Sequence, residues 1–289
     1  MDQKLKTYFA RKSVIVDRHL GRLLPPNGKY PVSIHKAMRY SIFAGGKRLR
    51  PILAVAAFEL CGGKGERVYP AACALEMMHT FSLIHDDLPC MDDDDFRRGK
   101  PTSHKVFGEA IAVLAGDALC IHAYEILGRY IHLPVVEVVS LALGTSGMIG
   151  GQVVDIESEG KDIDAKTLKF IHLHKTEALI TTSLLVGAII AGADKKAQKK
   201  IKEYGQCIGL AFQIVDDILD IVSTTEALGK DAGSDIENKK ATYPRLFGLD
   251  KSRKEARRLA DQAKKHLVSF KAHGEVLSLL ADFIVERVN

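Results

Sequence analysis

The chain has 289 residues, 46% hydrophobic and 27% charged, with sparse proline and no tryptophan; this excludes a disordered or low-complexity polypeptide and leaves ample chain for a sizeable core built from helices. A net charge of +5 spread over scattered Lys and Arg excludes the concentrated basic face that nucleic acid demands, so no nucleic-acid partner is expected. Cys61, Cys73, Cys90, Cys120 and Cys207 contain no C-x-x-C pair and read as reduced core thiols of a cytoplasmic protein.

The N-terminus lacks the apolar core of a signal peptide. The longest greasy run, 183–193, is too short to cross a bilayer as a helix, so no membrane span is expected. No linker or composition break divides the chain, which reads as one domain over 1–289.

Residues 2–22 place Leu5, Tyr8, Phe9, Val14, Ile15 and Leu20 at helical spacing and end at Pro25-Pro26-Asn27-Gly28. A second helix, 32–44, runs into Gly45-Gly46-Lys47-Arg48-Leu49-Arg50-Pro51. The glycines suit a helix stop, and Pro51 suits the first turn of the next helix, 52–61. Lys47, Arg48 and Arg50 then ring a turn. The Walker spacing is missing, so the turn is either a phosphate site made of side chains or a plain surface turn.

The helix over 71–84 leads into His85-Asp86-Asp87-Leu88-Pro89-Cys90-Met91, then four aspartates at 92–95, then Phe96-Arg97-Arg98. Pro89 places the helix end near Asp87. There the negative end of the helix dipole makes Asp86 and Asp87 harder to charge. Two like charges about 4 Å apart repel by roughly 4 kcal/mol at an effective dielectric near 20. A divalent cation removes the conflict, and hard oxygen donors without an adjacent His/Cys set suit magnesium. Arg97 and Arg98 add guanidinium forks that match phosphate. His79 and His85 have no ligand-spaced Cys or His beside them, which argues against zinc.

Apolar helices over 110–128 and 133–144 follow, then closely spaced glycines at 144, 147, 150 and 151. Gln152 and Asp155 are either functional or a polar helix exit. A nearly continuous helix over 164–192 contains His174-Lys175-Thr176-Glu177; its Lys and Thr either face a polar cavity or reach solvent. A second acidic cluster, Asp216-Asp217-Ile218-Leu219-Asp220, stands in an apolar helix, followed by Gly229-Lys230 and by a segment 235–248 with Lys239 and Lys240. Asp216 and Asp220 share a helix face, about 6 Å apart along the axis. Three aspartates in such a helix are costly unless they face a solvated, cation-bearing cavity. Amphipathic helices over 252–269 and 274–287 close the chain. Two acidic clusters with this set of basic residues suggest a cavity that binds diphosphates through magnesium, below apolar helix faces that hold a greasy tail.

These motifs, with Phe212-Gln213 and Lys175-Thr176, resemble the trans-isoprenyl diphosphate synthases over nearly the whole chain. The four residues between the first aspartate pair and Asp92 resemble bacterial farnesyl and plant-type geranylgeranyl members. The resemblance implies an all-α isoprenoid synthase fold, a bundle of antiparallel helices around a central cavity, usually a homodimer, with three Mg²⁺ ions. By position Asp86 and Asp92 hold two ions with Asp87 in support, and Asp216 holds the third with Asp217 and Asp220 ordering its waters. Arg97, Lys175 and Lys230 match residues that bind the allylic diphosphate (dimethylallyl or geranyl), and Lys47, Arg50, His79 and Arg98 match the isopentenyl diphosphate site. Lys175, Thr176 and Gln213 match the catalytic set, with Thr176 and Gln213 where the family stabilises the allylic cation. Phe81, with Ser82 beside it, resembles the aromatic stop of farnesyl synthases and implies a C15 product; a C20 product is the alternative. A non-catalytic regulatory subunit is a third reading, opposed by two intact acidic motifs.

Overall fold

The computed structural model describes residues 1–131, 133–222 and 242–287. Helix ends follow local chemistry. The Asp2 carboxylate accepts from the backbone N–H of Lys4 and Leu5 and starts α1 (Gln3–Leu23). After α2 (Val32–Ile42) the glycine turn leads into α3 (Leu49–Leu60), with Pro51 in the first turn, where no intrahelical N–H is needed. The next helix, α4 (Tyr69–Asp86), ends three residues before Pro89, with Asp87 as its C-cap. A two-residue ribbon, β1 (Phe96–Arg97) against β2 (Lys100–Pro101), is the one strand pair among the described residues. Then follow α5 (Ser103–Phe107), α6 (Glu109–Tyr130), α7 (Leu133–Leu143), α8 (Met148–Ser158) and α9 (Ala165–Ile171).

The expected long helix over 164–192 contains a π segment, His172–Glu177, between α9 and α10 (Ala178–Ala191). Next comes α11 (Lys195–Val222), beginning well before the apolar pattern does, because Asp194 caps it by accepting from the N–H of Ala197 at 2.7 Å. The chain closes with α12 (Tyr243–Phe247), α13 (Leu249–Leu267) and α14 (Glu275–Glu286). The fold is all-α, as expected.

Two apolar cores hold these helices. One gathers α1, α2, α4, α6 and α7 around Leu75, Met77, Met78, Leu119 and Leu127; the other gathers α11, α13 and α14 around Tyr204, Ile208 and Leu280. Both α3 and α10 serve the two: Phe58 and Val186 face the first, Leu53 and Leu184 the second. Each fully buried aliphatic side chain contributes about 1.5–3 kcal/mol. Gly187 lets α10 lie directly on α3, since a Cβ there would stand 2.0 Å from the Ala54 carbonyl oxygen.

The reading of apolar runs requires correction. By length and composition three stretches, Glu109–Tyr130, Leu133–Ser158 and Ala165–Ala191, are long and apolar enough to cross a membrane. The uninterrupted run 183–193 understated them because isolated polar residues break each run without lowering its mean hydropathy far. In this fold the last stretch supplies both cores, while α6 and α7 leave Leu114, Ile121, Leu133 and Leu141 exposed.

Candidate active site

The first acidic motif occupies a tight loop. The Asp92 N–H donates to the Asp86 carbonyl at 2.8 Å, and Thr102 ties the far end by donating its hydroxyl to the Asp94 carbonyl at 2.8 Å. Asp86 and Asp92 are half-buried, but Asp87 is buried and holds Arg97, whose Nε donates to Asp87 Oδ1 at 2.8 Å. Arg97 Nη2 reaches Asp87 as well, and it also reaches Asp94 Oδ2 at 2.6 Å. Burial pushes the Asp87 carboxyl up to about 6, outweighing the neighbouring guanidinium. Among the described residues, the only acid and His group with ligand atoms within 4.8 Å of one another is Asp93, Asp95 and His104. Lys105 already sits 2.7 Å from Asp95, and that ion pair accounts for the exposed carboxylate.

The basic turn divides its three charges. Arg48, at a left-handed φ of 49°, turns inward and is buried between Asp17 Oδ1 at 2.8 Å and Glu76 Oε1 at 3.0 Å. It is a structural residue of the turn, its guanidinium held by these two carboxylates. Lys47 and Arg50 line a cavity of about 530 Å³ together with His79, Arg97, Arg98, Asp216 and Arg287, and Arg48 borders it from its carboxylate clamp. Arg98 enters this group because its Nη1 donates to the Gly45 carbonyl and its guanidinium lies over Gly46, where a Cβ would meet Cζ at 2.5 Å. Burial, reinforced by Arg98, pushes Arg50 down to about 10. Burial and then Arg50, Arg98, Arg97 and Arg48 hold His79 well below the usual histidine range, so it is neutral at pH 7. The Arg50 Nε is buried with no protein partner. Such a concentration of cations, with a buried donor left open, is arranged for a multiply charged anion.

A second cavity, of about 410 Å³, adjoins the first through Arg50 and His79, which line both. It is lined by Asp86, Lys175 and Thr176, and by Phe81, Ser82, His85 and Met91 together with Met148, Ile149, Val153 and Ile156 of α8. Lys175 and Thr176 reach it from the π segment, whose extra residue per turn re-aims side chains that a regular helix would direct elsewhere. Gly151 allows α8 to pass beneath, since a Cβ there would stand 2.4 Å from the Lys175 backbone nitrogen. Lys175 Nζ lies 2.5 Å from Asp155 Oδ2. Burial opposes its charge, but Asp155, Asp86 and Asp92 outweigh burial and raise its pKa.

The second acidic motif is mostly turned into the fold. Thr176 Oγ1 donates to Gln213 Oε1 at 2.5 Å, and Gln213 Nε2 donates to Asp217 Oδ1 at 2.8 Å. Asp217 Oδ2 accepts from the Tyr243 N–H at 2.7 Å and lies 3.3 Å from His172 Nε2. Asp217 and Asp220 are both buried. Only Asp216 of the three lines the basic cavity, 2.9 Å from Arg287, whose guanidinium stacks over Phe212 at 5.3 Å.

The structure thus brings Lys47, Arg50, His79, Arg97, Arg98 and Asp216 to one cavity and Phe81, Ser82, Asp86, Lys175 and Thr176 to the other. Asp87, Gln213 and Asp217 connect to them through hydrogen bonds, while Lys230 and Lys239 lie outside the described residues. Sequence reasoning missed Arg287, His172 and Tyr243. Each is distant in sequence from the motif it serves, and no spacing signals it.

Comparison with known proteins adds to this geometry. A profile of the family described as Polyprenyl synthetase matches residues 31–280. The chain is 47% identical over 293 residues to the geranylgeranyl diphosphate synthase of Cyanophora paradoxa, covering 99% of this chain and 97% of that protein. Among solved structures it is similar to an FPP/GFPP synthase from Zymomonas mobilis in its apo form, with TM-score 0.88, 39% identity and coverage of 99% of this chain and 100% of that one. It is also similar to a geranyltransferase from Helicobacter pylori complexed with magnesium and isoprenyl diphosphate, with TM-score 0.85, 30% identity and coverage of 99% and 97%. Joined basic and apolar cavities, two acidic motifs and a match over most of its length together show that the chain belongs to the polyprenyl synthetase family of trans-isoprenyl diphosphate synthases.

Proposed function

We propose that the protein elongates an allylic diphosphate head-to-tail with isopentenyl diphosphate and releases geranylgeranyl diphosphate, C20. The observation that carries the transfer reaction is the meeting of the two cavities at Arg50 and His79. Lys47, Arg50 and Arg98 hold the isopentenyl diphosphate, with neutral His79 hydrogen-bonding between them without adding to their repulsion. Arg97 and Lys175, with Lys230 by position, hold the allylic diphosphate, whose chain enters the apolar cavity. The donor set fits magnesium: Asp86 and Asp92 offer only carboxylate oxygens, and both already draw the Lys175 cation. Asp86, Asp92 and Asp216 would hold three ions, with Asp87, Asp217 and Asp220 positioning the shell. When bound, the ions neutralise charge on the departing diphosphate.

Ionisation leaves an allylic cation beside the Thr176 and Gln213 oxygens, whose shared hydrogen bond fixes their dipoles before reaction. The isopentenyl double bond then attacks, and a proton leaves to the departing diphosphate. Apolar side chains from α4 and α8 exclude water from the cation.

For product length the C20 alternative is better supported than the C15 expectation. The 47% identical relative that matches nearly end to end is named a geranylgeranyl diphosphate synthase, and the Phe81 ring is 8% exposed, packed into the α4 core. Phe81 and Ser82 still border the cavity, which is the observation favouring the C15 reading. Chromatography of dephosphorylated products made from dimethylallyl diphosphate and labelled isopentenyl diphosphate decides between them. A C20 alcohol is expected, and a C15 alcohol as the end product reverts the assignment to a farnesyl synthase.

The reading extends to assembly. The exposed Leu114, Ile121, Leu133 and Leu141 on α6 and α7 suit burial against a second copy, giving a homodimer. Chain 1–289 acts as one unit, because α3 and α10 serve both cores. Its five free thiols suit the reducing cytoplasm.

A further inference from the structure

Phe81 and His85 stand one turn apart on α4, both line the apolar cavity, and their rings meet edge to face with centroids 5.8 Å apart at 74°. On its other side the His85 imidazole sits in a slot on α6. Its Nε2 lies 3.0 Å from the Val113 carbonyl oxygen and 3.8 Å from Asp117 Oδ1. The slot exists because residue 116 is glycine: a Cβ there would stand 2.2 Å from His85 Nε2 and 2.6 Å from Cδ2, inside the ring. Glycine within a helix is less favourable than alanine by about 1 kcal/mol, so helix stability does not explain it.

Building on the prenyltransferase reading above, we propose that Gly116 is a specificity-determining residue. By seating His85 against α6 it sets how far the Phe81 and His85 rings stand back from the cavity, and so how long a chain the cavity accepts. A methyl group at 116 forces the imidazole off the Val113 carbonyl. Neighbouring Met77, Met78 and Ile84 are packed in the core, so α4 has little room to retreat. The open space beside both rings is the cavity itself, bounded opposite by Met148, Ile149 and Val153. Displacement of either ring therefore narrows it.

Gly116→Ala tests this through product length. One methylene of crowding in an apolar pocket discriminates by about tenfold or more, so the ratio of C20 to C15 product falls at least about tenfold. The Gly116→Ala/His85→Ala double variant recovers product of at least the wild-type length, because no imidazole remains to be pushed into the cavity. A merely structural role for Gly116 lowers all products alike and shows no such rescue. An unchanged distribution in Gly116→Ala, or failure of the double variant to restore length, overturns the inference. The C20 assignment fails separately: if the wild type makes C15, Gly116→Ala is expected to shift it to C10. For a folded but inactive variant, its crystal structure decides. The ring is expected off the Val113 carbonyl and in the cavity, and a ring still bonded there refutes the proposal.

Discussion

The two acidic motifs are chemically alike and structurally opposed. The first begins on the last turn of α4 and runs into the loop after it, where Asp86 and Asp92 are half-open and Asp87 is buried, held by Arg97. The second is built into α11, where Asp217 and Asp220 are buried and only Asp216 lines a cavity. A loop can gather several carboxylates toward one point. A helix separates adjacent side chains by about 100°, so Asp217 turns away from the face that Asp216 presents, while Asp220, one turn on along that face, is buried below the cavity's lining. The difference teaches that a repeated motif divides its work by backbone: the first copy collects charge, and the helix copy joins the charge to the hydrogen-bonded chain Thr176, Gln213 and Asp217.

The largest expected contrast separates chemistry from stability. Asp86→Asn lowers kcat/KM by about 10³-fold, the scale of a lost electrostatic partner at the reacting centre, with little change in melting temperature. Steady-state elongation assays beside calorimetry check both halves. By contrast, Asp217→Ala leaves Gln213, the Tyr243 N–H and His172 without their shared acceptor. It lowers unfolding free energy by about 3 kcal/mol, read by urea denaturation, and an unchanged denaturation midpoint would show that Asp217 does not hold α11 to Tyr243.

A smaller effect tests the π segment between the motifs. Gly151→Ala drives a methyl into the Lys175 backbone and costs about 1–3 kcal/mol by overpacking. It also raises KM for the allylic substrate, which a purely remote destabilisation would leave unchanged.

The smallest effect concerns pH. Burial raises the folded Asp87 carboxyl to about 6 from an ordinary value of 3.8. Protonation therefore favours the folded state: the stabilising contribution is complete below the unfolded value and is lost as pH rises through about 6. In chelator-treated protein, Asp87→Asn removes this dependence, so the melting temperatures of variant and wild type diverge as pH rises from 4 to 7. Parallel profiles would contradict the assignment.

Much of this is legible in the sequence. Pro89 marks the end of α4, the Gly45-Gly46 turn and Pro51 mark the α2–α3 junction, and the acidic and basic clusters mark the cavities, because each signal is local. Arg48 was not legible as a structural residue: its partners Asp17 and Glu76 come from other helices. The π segment was hidden because its sequence keeps helical periodicity, and only the close passage of α8 at Gly151 betrays the inserted residue. The C15 expectation rested on Phe81 alone, whereas its stance depends on His85 and on a glycine thirty-odd residues away on α6.

Incorporation of labelled isopentenyl diphosphate into allylic product, followed as magnesium is removed with a chelator and returned, tests the account most directly. The joined cavities predict elongation that vanishes on chelation and recovers when magnesium is restored. A folded, magnesium-replete protein that performs no elongation, or one whose elongation is indifferent to chelation, would contradict it.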